Sequence, residues 1–448
     1  MSERGPVVAF FPEGAFGPTN NCVAIGHALQ RRGARVVFVV EESFAGTLAA
    51  QGFQERLMRL GPEPETPEEP GQFWRDFVRE TAPHLREPTI DQVASFVLPV
   101  WRSLVDGARH VEPRLAEIFA ELQPDVIVED NVVGFPAVSA AGVPWARIVS
   151  CNPLEVDDPA LPPAFSGYAV GDAAGASAFR AEYRRRCGGL QAELADWNAR
   201  RGGEPIPTGD AVPGDGMPPF IAESPWLNVA LYPEAVDYAR SRPLGPTWHR
   251  IGSSIRPAPG PWAAPASLPG DGPLVYVSMG SLGSADPDLV GRLLDALGGT
   301  RFRVVMSLGP QADEVVAGRL TLPPNVVGAE YLPQPAILPA VDAVVTHAGN
   351  NTFTECLHHG RPMVAMPLFW DQHDNARRVA ELGLGHRLDA YRSSGADLVA
   401  ALDDLLADTG RRDRLASIAR TVQADPGPER AATLILRLAE TREPVTVA

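Results

Sequence analysis

Residues 331–376 read YLPQPAILPAVDAVVTHAGNNTFTECLHHGRPMVAMPLFWDQHDNA, and this stretch decides the fold. Its apolar run Asp342–Thr346 predicts a buried strand. A polar turn with one glycine, residues 347–352, follows directly, and the pattern from Thr352 to His359 predicts a helix. A strand, a small-residue turn and a helix start present backbone N–H groups and a positive dipole end to phosphate. The stretch therefore predicts an α/β domain that binds an anion at the end of a strand.

Polar side chains stand where such a site would use them. His347 lies at the carboxyl end of the predicted strand, where open α/β sheets bind ligands. Glu355 lies one turn along the predicted helix, within reach of hydroxyl groups beside the phosphates. The apolar run Pro362–Leu368 predicts the next strand, and Asp371 and Gln372 follow it as hydrogen-bonding groups. Each residue alone also fits a cap or a solvated turn, so the spacing of the whole set carries the prediction.

The stretch resembles the donor-binding signature of the glycosyltransferases that use nucleotide-activated sugars, a family with plant, animal and antibiotic-producer members. The resemblance implies the GT-B fold, in which two Rossmann-like α/β domains face each other across a cleft, and an inverting sugar transfer. It implies that Gln334 lies beside the nucleobase and that His347 hydrogen-bonds the diphosphate. It also implies that Glu355 holds the ribose hydroxyls.

Further positions match the family one by one. Gly349, Asn351 and Thr352 match the turn that binds the phosphates. Asp371 and Gln372 match the acidic-amide pair that contacts the sugar. So many matches at fixed spacing are more specific than a lone glycine motif. The resemblance therefore implies a complete donor site.

Two further positions match the family, and two positions differ from its plant members. In the segment SMGS, the resemblance implies that the backbone of Gly280 and Ser281 contacts the donor phosphates. Tyr331 stands where plant members carry a stacking tryptophan, and Asn350 stands where they carry another tryptophan. The contacts with base and phosphate are therefore expected to differ in detail.

The composition is typical of a two-domain globular protein. The chain has 448 residues, a hydrophobic fraction of 45%, and a net charge of −16 from 39 basic and 55 acidic residues. The chain has no concentrated basic block, so we expect neither a nucleic-acid nor an anionic-membrane partner. Neither a signal peptide nor a run of about 20 apolar residues is evident, so we expect a soluble cytoplasmic protein, monomeric or dimeric. The four cysteines show no paired metal spacing, and we expect reduced thiols and no metal site.

Strand and helix patterns alternate in both halves of the chain, which predicts parallel sheets covered by helices. Residues 61–71 predict an exposed loop, residues 73–122 are mainly helical, and residues 152–225 are poorly determined around one helical stretch. The predicted organisation is an acceptor-binding domain over residues 1–250, a linker over 251–272 and a nucleotide-sugar-binding domain over 273–425. The resemblance implies that residues 426–448 form a helix and tail that cross back to the first domain.

The loop after the first strand lacks an expected residue. Many relatives carry a histidine there that takes the proton from the acceptor hydroxyl, with an aspartate that orients it. In this chain the expected histidine falls at or beside Pro18, whereas Asp130 matches the aspartate. Glu13 or Asp130 could serve as the base, since burial raises a carboxyl pKa toward the working range. The same loop supplies Phe16 and Asn20, which we expect to bind the acceptor.

The sequence leaves the identity of the base open. A histidine from another loop could act as the base, or donor positioning alone could supply most of the rate. Glu13 and Asp130 could also be a solvated and a structural carboxylate.

The resemblance implies an inverting glycosyltransferase that moves a hexose, and we expect UDP-glucose as first donor ahead of a deoxysugar on dTDP. A natural product or a nucleoside is the expected acceptor, and no further cofactor is expected. A nucleotide-sugar-binding protein without activity and a nucleotide-sugar epimerase are the alternatives.

Overall fold

Two parallel β-sheets organise the chain, as a computed structural model of residues 5–63, 72–212, 214–258 and 260–447 describes it. The predicted exposed loop therefore lies largely outside the described residues. The strands of the first sheet are β1 Val7–Pro12, β2 Arg35–Glu41, β3 Gln54–Met58, β4 Val126–Asp130, β5 Trp145–Val149, β6 Leu227–Ala230 and β7 Trp248–Arg250. Those of the second are β8 Leu274–Ser278, β9 Arg303–Ser307, β10 Val326–Ala329, β11 Ala343–Thr346, β12 Met363–Ala365 and β13 Gly385–Arg387.

The two sheets share one topology. Their strand orders are β3-β2-β1-β4-β5-β6-β7 and β10-β9-β8-β11-β12-β13, and every neighbouring pair is parallel. In each sheet the order reverses beside the first strand, which leaves a crevice at the carboxyl ends of the central strands. The predicted α/β class is confirmed. The predicted linker lies between β7 and β8, and the domain limits themselves stay predictions.

Helices cover both faces of each sheet. In the first half they are α1 Phe16–Arg31, α2 Gln72–Thr81, α3 Thr89–Gln92, α4 Leu98–Leu122, α5 Pro136–Ser139 and α6 Ala173–Arg200. In the second they are α7 Gly280–Gly283, α8 Pro287–Leu297, α9 Gln311–Val316, α10 Gln334–Ile337, α11 Asn350–His358, α12 Gln372–Glu381, α13 Gly395–Ala407, α14 Thr409–Ala424 and α15 Gly427–Thr441. None of these described helices is long and apolar enough to span a bilayer.

The central strands are apolar runs because both of their faces are buried. On β1, Val8 and Phe10 pack into the core beneath α1, whereas Ala9 and Phe11 pack into the core on the opposite face. Strands covered on both faces have near-continuous apolar sequences, which is why β1 is evident in the sequence. The edge strand β3 reads QERLM and carries mostly half-exposed or exposed side chains, so the apolar-run criterion misses it.

Helix α1 begins earlier than the sequence predicts. The helical pattern indicates a start at Asn21, but the helix begins at Phe16. Pro18 lies in its first turn, where the missing N–H costs nothing because that amide has no intrahelical partner. The loop after β1 is therefore short, and the first turn of α1 lies at the carboxyl edge of the sheet.

Helix α15 packs on the first sheet although it follows the second domain in the chain. It contacts α1, β4 and β6. Ala431, Ile435 and Leu438 are fully buried in the same core as Val8 and Phe10. The first domain is thus completed by the last helix of the chain.

Polar contacts join the two domains across the crevice. The Asp374 carboxylate on α12 accepts the N–H groups of Phe165 at 2.6 Å and Gly167 at 2.8 Å. The Arg387 guanidinium donates to the carbonyl of Gly167 at 2.7 Å. The ring of Phe165 stacks on Trp370, with the ring centroids 4.2 Å apart. These contacts hold the two sides of the crevice together.

Candidate active site

A cavity of about 530 Å³ lies between the carboxyl ends of the two sheets. Its walls come from the segments that follow β1, β4, β5, β8, β9, β10, β11 and β12, together with one face of the helical segment that includes α4. Ligands of parallel α/β sheets bind at this edge. The predicted residues that line it are Glu13, Phe16, Asn20, Gly280, Ser281, Gln334, His347, Gly349, Asn351, Thr352, Asp371 and Gln372.

His347 lies at the end of β11, and its imidazole is enclosed by backbone. Its Nε2 would lie 2.7 Å from a Cβ at Gly280 and 2.5 Å from a Cβ at Gly349. No side chain fits at either position, which explains both glycines. Nδ1 lies 3.4 Å from the Thr346 hydroxyl and from the Ser278 carbonyl. Burial lowers the pKa of His347 to about 4, so the ring is neutral at pH 7 before a ligand binds.

The N-terminus of α11 meets the cavity without a side-chain cap. Gly349 is the residue before the helix and provides no capping side chain, and the first turn holds no acidic residue. Ala348, with φ of 65°, turns the chain from β11 into the helix. The first amides of the helix are therefore available to an anion, as the sequence predicts.

Gln334, Thr352 and Glu355 form one hydrogen-bonded group. The Gln334 amide donates to the Glu355 carboxylate at 2.5 Å and to the Thr352 hydroxyl at 3.2 Å. Arg256 contacts the other oxygen of this carboxylate, with its Nη2 3.4 Å from Glu355 Oε1. Glu355 is 2% exposed and does not line the cavity. The predicted ribose contact by Glu355 therefore requires its present partners to move.

The turn after β12 presents Asp371 and Gln372 to the cavity. Trp370 has φ of 58°, a conformation rare for a residue with a side chain. Burial, with smaller contributions from the charges of Asp374 and Glu155, raises the pKa of Asp371 to about 8. The side-chain oxygen of Gln372, Oε1, accepts hydrogen bonds from the backbone N–H groups of residues 368 and 369. These bonds fix the side chain and leave its NH₂ group for a ligand.

The two predicted bases occupy different places. Glu13 lies on the cavity wall, and burial, with a further contribution from Glu155, raises its pKa to about 7. Asp130 is 4% exposed, does not line the cavity, and accepts a hydrogen bond from Ser150 at 2.9 Å. Burial also raises the pKa of Asp130 well above its usual range. Glu13 is therefore the only one of the two in reach of a substrate in this conformation.

Strand geometry explains why Asp130 is hidden. Side chains alternate along β4, so Asp130 shares a face with Val126 and Val128, which belong to the core beneath α1. Its carboxylate lies 3.9 Å from the thiol of Cys22 on α1. The sequence places Asp130 correctly at the strand end but does not reveal which face it occupies.

Three further residues make contacts that the sequence did not reveal. The Asn350 side-chain NH₂ donates to the carbonyls of Ser150 at 2.7 Å and Leu231 at 3.1 Å, in the first domain. Asn351 likewise donates to the carbonyl of Gly17 at 3.0 Å. The ring of Phe16 lies 6.1 Å from that of Tyr331, so it faces the predicted nucleobase end as well as the acceptor side.

Asn20 lines the cavity beside an apolar wall that the sequence did not predict. This wall comes from both domains, and no local motif marks it, because helical core positions and pocket positions have the same apolar pattern. Its residues are Phe96, Val100, Leu104, Val132, Phe369 and Trp370.

Comparisons with known proteins place this chain beside glycosyltransferases. Residues 238–426 match the family described as UDP-glucoronosyl and UDP-glucosyl transferase. Demethyllactenocin mycarosyltransferase of Streptomyces fradiae is 28% identical over 96% of this chain and 85% of the relative. Oleandomycin glycosyltransferase of Streptomyces antibioticus is 27% identical over 96% of this chain and 90% of the relative.

Solved structures share the fold at lower identity. The glycotransferase of kitacinnamycin superposes with a TM-score of 0.67 at 22% identity, over 97% of this chain and 99% of that chain. The calicheamicin glycosyltransferase superposes with a TM-score of 0.64 at 21% identity, over 98% and 100%. The chain is a glycosyltransferase of the GT-B fold. Within that class it is similar to the UDP-glycosyltransferases and the macrolide glycosyltransferases.

Proposed function

We propose that this enzyme transfers a hexose, with inversion, from a nucleoside diphosphate to a hydroxyl group of a small apolar acceptor. One observation carries the proposal: the uncapped start of α11 and His347 share a single cavity with Glu13 and an apolar wall. An anion-binding element and a titratable carboxylate in one cavity suit a displacement between a donor and an acceptor. UDP-glucose is the first donor to test, and a deoxysugar on dTDP is the second.

The donor diphosphate binds at the start of α11 in this proposal. The helical amides and His347 donate to phosphate oxygens, and a neutral imidazole can do so when Nδ1 accepts from the Thr346 hydroxyl. Asp371 and the NH₂ group of Gln372 hydrogen-bond the sugar hydroxyls. These contacts hold the anomeric carbon toward the first domain, which is the positioning contribution to the rate.

Glu13 removes the acceptor proton. With a pKa of about 7, a substantial fraction of its carboxyl group is ionised at neutral pH. The acceptor oxygen attacks the anomeric carbon from the face opposite the leaving group, and its proton passes to Glu13. The bond between the anomeric carbon and the diphosphate oxygen breaks, and the nucleoside diphosphate leaves with the electron pair. Asp130 does not touch the substrate. Its carboxylate positions Ser150, which lines the cavity, by accepting a hydrogen bond from the serine hydroxyl.

The direct test is release of nucleoside diphosphate from UDP-glucose and from a dTDP-deoxysugar, with and without a library of acceptors. We expect release that depends on an apolar hydroxylated acceptor, and a glycosylated product of inverted configuration. Binding of donors without any acceptor-dependent release across the library would contradict the proposed reaction.

We expect His347→Ala and Glu355→Ala to weaken binding of UDP by about 1–3 kcal/mol each, because each removes a hydrogen-bonding group from the nucleotide site. Calorimetric titration with UDP and UDP-glucose measures the effect. His386→Ala is the matched control, since this histidine pairs with Asp404 on the outer surface of the same domain. Unchanged affinity in both site variants would remove the donor-site assignment.

Turnover is expected to survive chelation by EDTA. The helix amides and His347 bind the diphosphate in the proposed mechanism, and they contribute to its charge stabilisation without a metal ion. Acceptor-dependent release is measured before and after dialysis against EDTA. Loss of turnover that magnesium or manganese restores would contradict this expectation.

A further inference from the structure

The side chains of the cavity wall supply almost no positive charge to match a nucleotide donor. Glu13, Glu330 and Asp371 line the cavity, and His347 is neutral at pH 7. Among the described residues, Arg256 is the only arginine or lysine that lines it. A nucleoside diphosphate carries negative charge on both phosphates, and this charge increases when the sugar leaves. Arg256 is thus the one permanent cation that the described part of the chain places in reach of the donor.

Arg256 uses few of its hydrogen-bond donors. A guanidinium has five N–H donors in a fixed planar arrangement. Among the described residues the side chain makes one contact, from Nη2 to Glu355 Oε1 at 3.4 Å, near the outer limit for a hydrogen bond. Its Nε is buried without a partner in the same part of the chain. Buried N–H donors normally have partners, so the unpaired Nε suits a ligand group that completes it.

The position of Arg256 fits the donor end of the cavity. Its partner Glu355 lies on α11 one turn beyond Thr352, and Gln334 bridges these two residues. Arg256 therefore lies beside the residues predicted to meet the nucleoside, next to the helix whose N-terminus is predicted to meet the phosphates. Its backbone lies between the two domains, outside the donor-binding signature of residues 331–376.

We propose that Arg256 binds the diphosphate of the donor and stabilises the negative charge that develops on the leaving group. This inference rests on the proposed function. When the nucleotide binds, the guanidinium donates to phosphate oxygens and gives up its long contact with Glu355. This removes one of the two partners that Glu355 must lose before it can accept ribose hydroxyls, the other being Gln334.

Arg256→Gln tests the proposal, because it removes the charge and keeps a polar side chain. We expect binding of UDP and dTDP to weaken by about 10–100-fold, the scale of hydrogen bonds to charged groups, and binding of uridine to change by less than about threefold. Arg256→Lys restores part of the affinity for the diphosphates. Arg319→Gln is the matched control, since Arg319 is an exposed guanidinium that pairs with Glu314. Thermal unfolding without ligand verifies that each variant is folded.

A Glu355→Gln background separates two roles of Arg256: direct binding of phosphate and neutralisation of the Glu355 carboxylate. The same titrations are made with Glu355→Gln and with the double variant. If Arg256 binds phosphate, its replacement weakens UDP binding in both backgrounds. If it only neutralises Glu355, the loss disappears in the Glu355→Gln background and affects uridine and UDP alike, and the inference is overturned. Unchanged affinity of Arg256→Gln for UDP overturns it too. A wild-type protein that binds neither UDP nor dTDP overturns the proposed function itself.

Discussion

Replacing Glu13 with glutamine is expected to lower turnover by about 100-fold or more, the usual scale for loss of a general base. Binding of UDP should remain within about twofold of the wild type, because Glu13 follows β1 of the first sheet, whereas the residues predicted to bind the nucleotide belong to the second domain. Steady-state rates and calorimetry on the same preparations measure both quantities. Glu117→Gln is the matched control, since this carboxylate is exposed on α4.

The pH dependence provides an independent readout. Only the ionised carboxylate accepts a proton, and the pKa of Glu13 is raised to about 7 by burial. Wild-type kcat/KM should therefore fall as the pH drops below about 7, and Glu13→Gln should lose this dependence. If the variant retains turnover and the same pH profile, Glu13 is not the base.

Asp130→Asn is the comparison that separates the two predicted carboxylates. Asparagine retains an oxygen that accepts the Ser150 hydroxyl, and position 130 is shielded from substrate. We expect a loss of turnover well below that of Glu13→Gln. A larger loss in Asp130→Asn would reverse the assignment and imply that the floor of the cavity opens during the reaction.

Removal of residues 426–448 is expected to unfold the first domain. Helix α15 buries Ala431, Ile435 and Leu438 against β-strands of that domain, and burial of one large aliphatic side chain contributes about 1.5–3 kcal/mol. For Ile435 and Leu438 together the contribution is about 3–6 kcal/mol, which approaches the lower end of the net stability of a typical domain, about 5–15 kcal/mol. Limited proteolysis with mass spectrometry should therefore find early cleavage in α1, which packs directly on α15.

Single substitutions give a graded version of the same test. Ile435→Ala should lower stability by about 2–5 kcal/mol, whereas Arg437→Ala, on the exposed side of the same helix, should change it little. Thermal unfolding and proteolysis rates provide the measurement. A truncated protein with the melting temperature and cleavage pattern of the full chain would show that α15 is dispensable.

Local patterns predicted much of the second domain. Strand β11, the turn at His347 and helix α11 follow each other within a few residues, so a strand, a turn and a helix are evident from spacing alone. The α/β class and the assignment as a glycosyltransferase are confirmed. The roles of individual site residues stay predictions.

Long-range geometry accounts for what the sequence could not reveal. The face that Asp130 occupies depends on its position in β4, and the partners of Glu355 come from distant segments at Gln334 and Arg256. Short strands such as β7 carry too few residues for a periodic pattern. The contacts of Asn350 with the first domain exist only once the two domains have met.

The position of helix α15 in the chain also determines when the first domain can finish folding during synthesis. Val8 and Ile435 share one core but stand near opposite ends of the chain. On the ribosome, the strands of the first domain are synthesised long before the helix that covers them, since the rest of the chain takes roughly 10–40 s at about 5–20 residues per second. The apolar side of α1 that packs on α15 stays without this partner for at least that time. The first domain to be made is therefore the last to be finished.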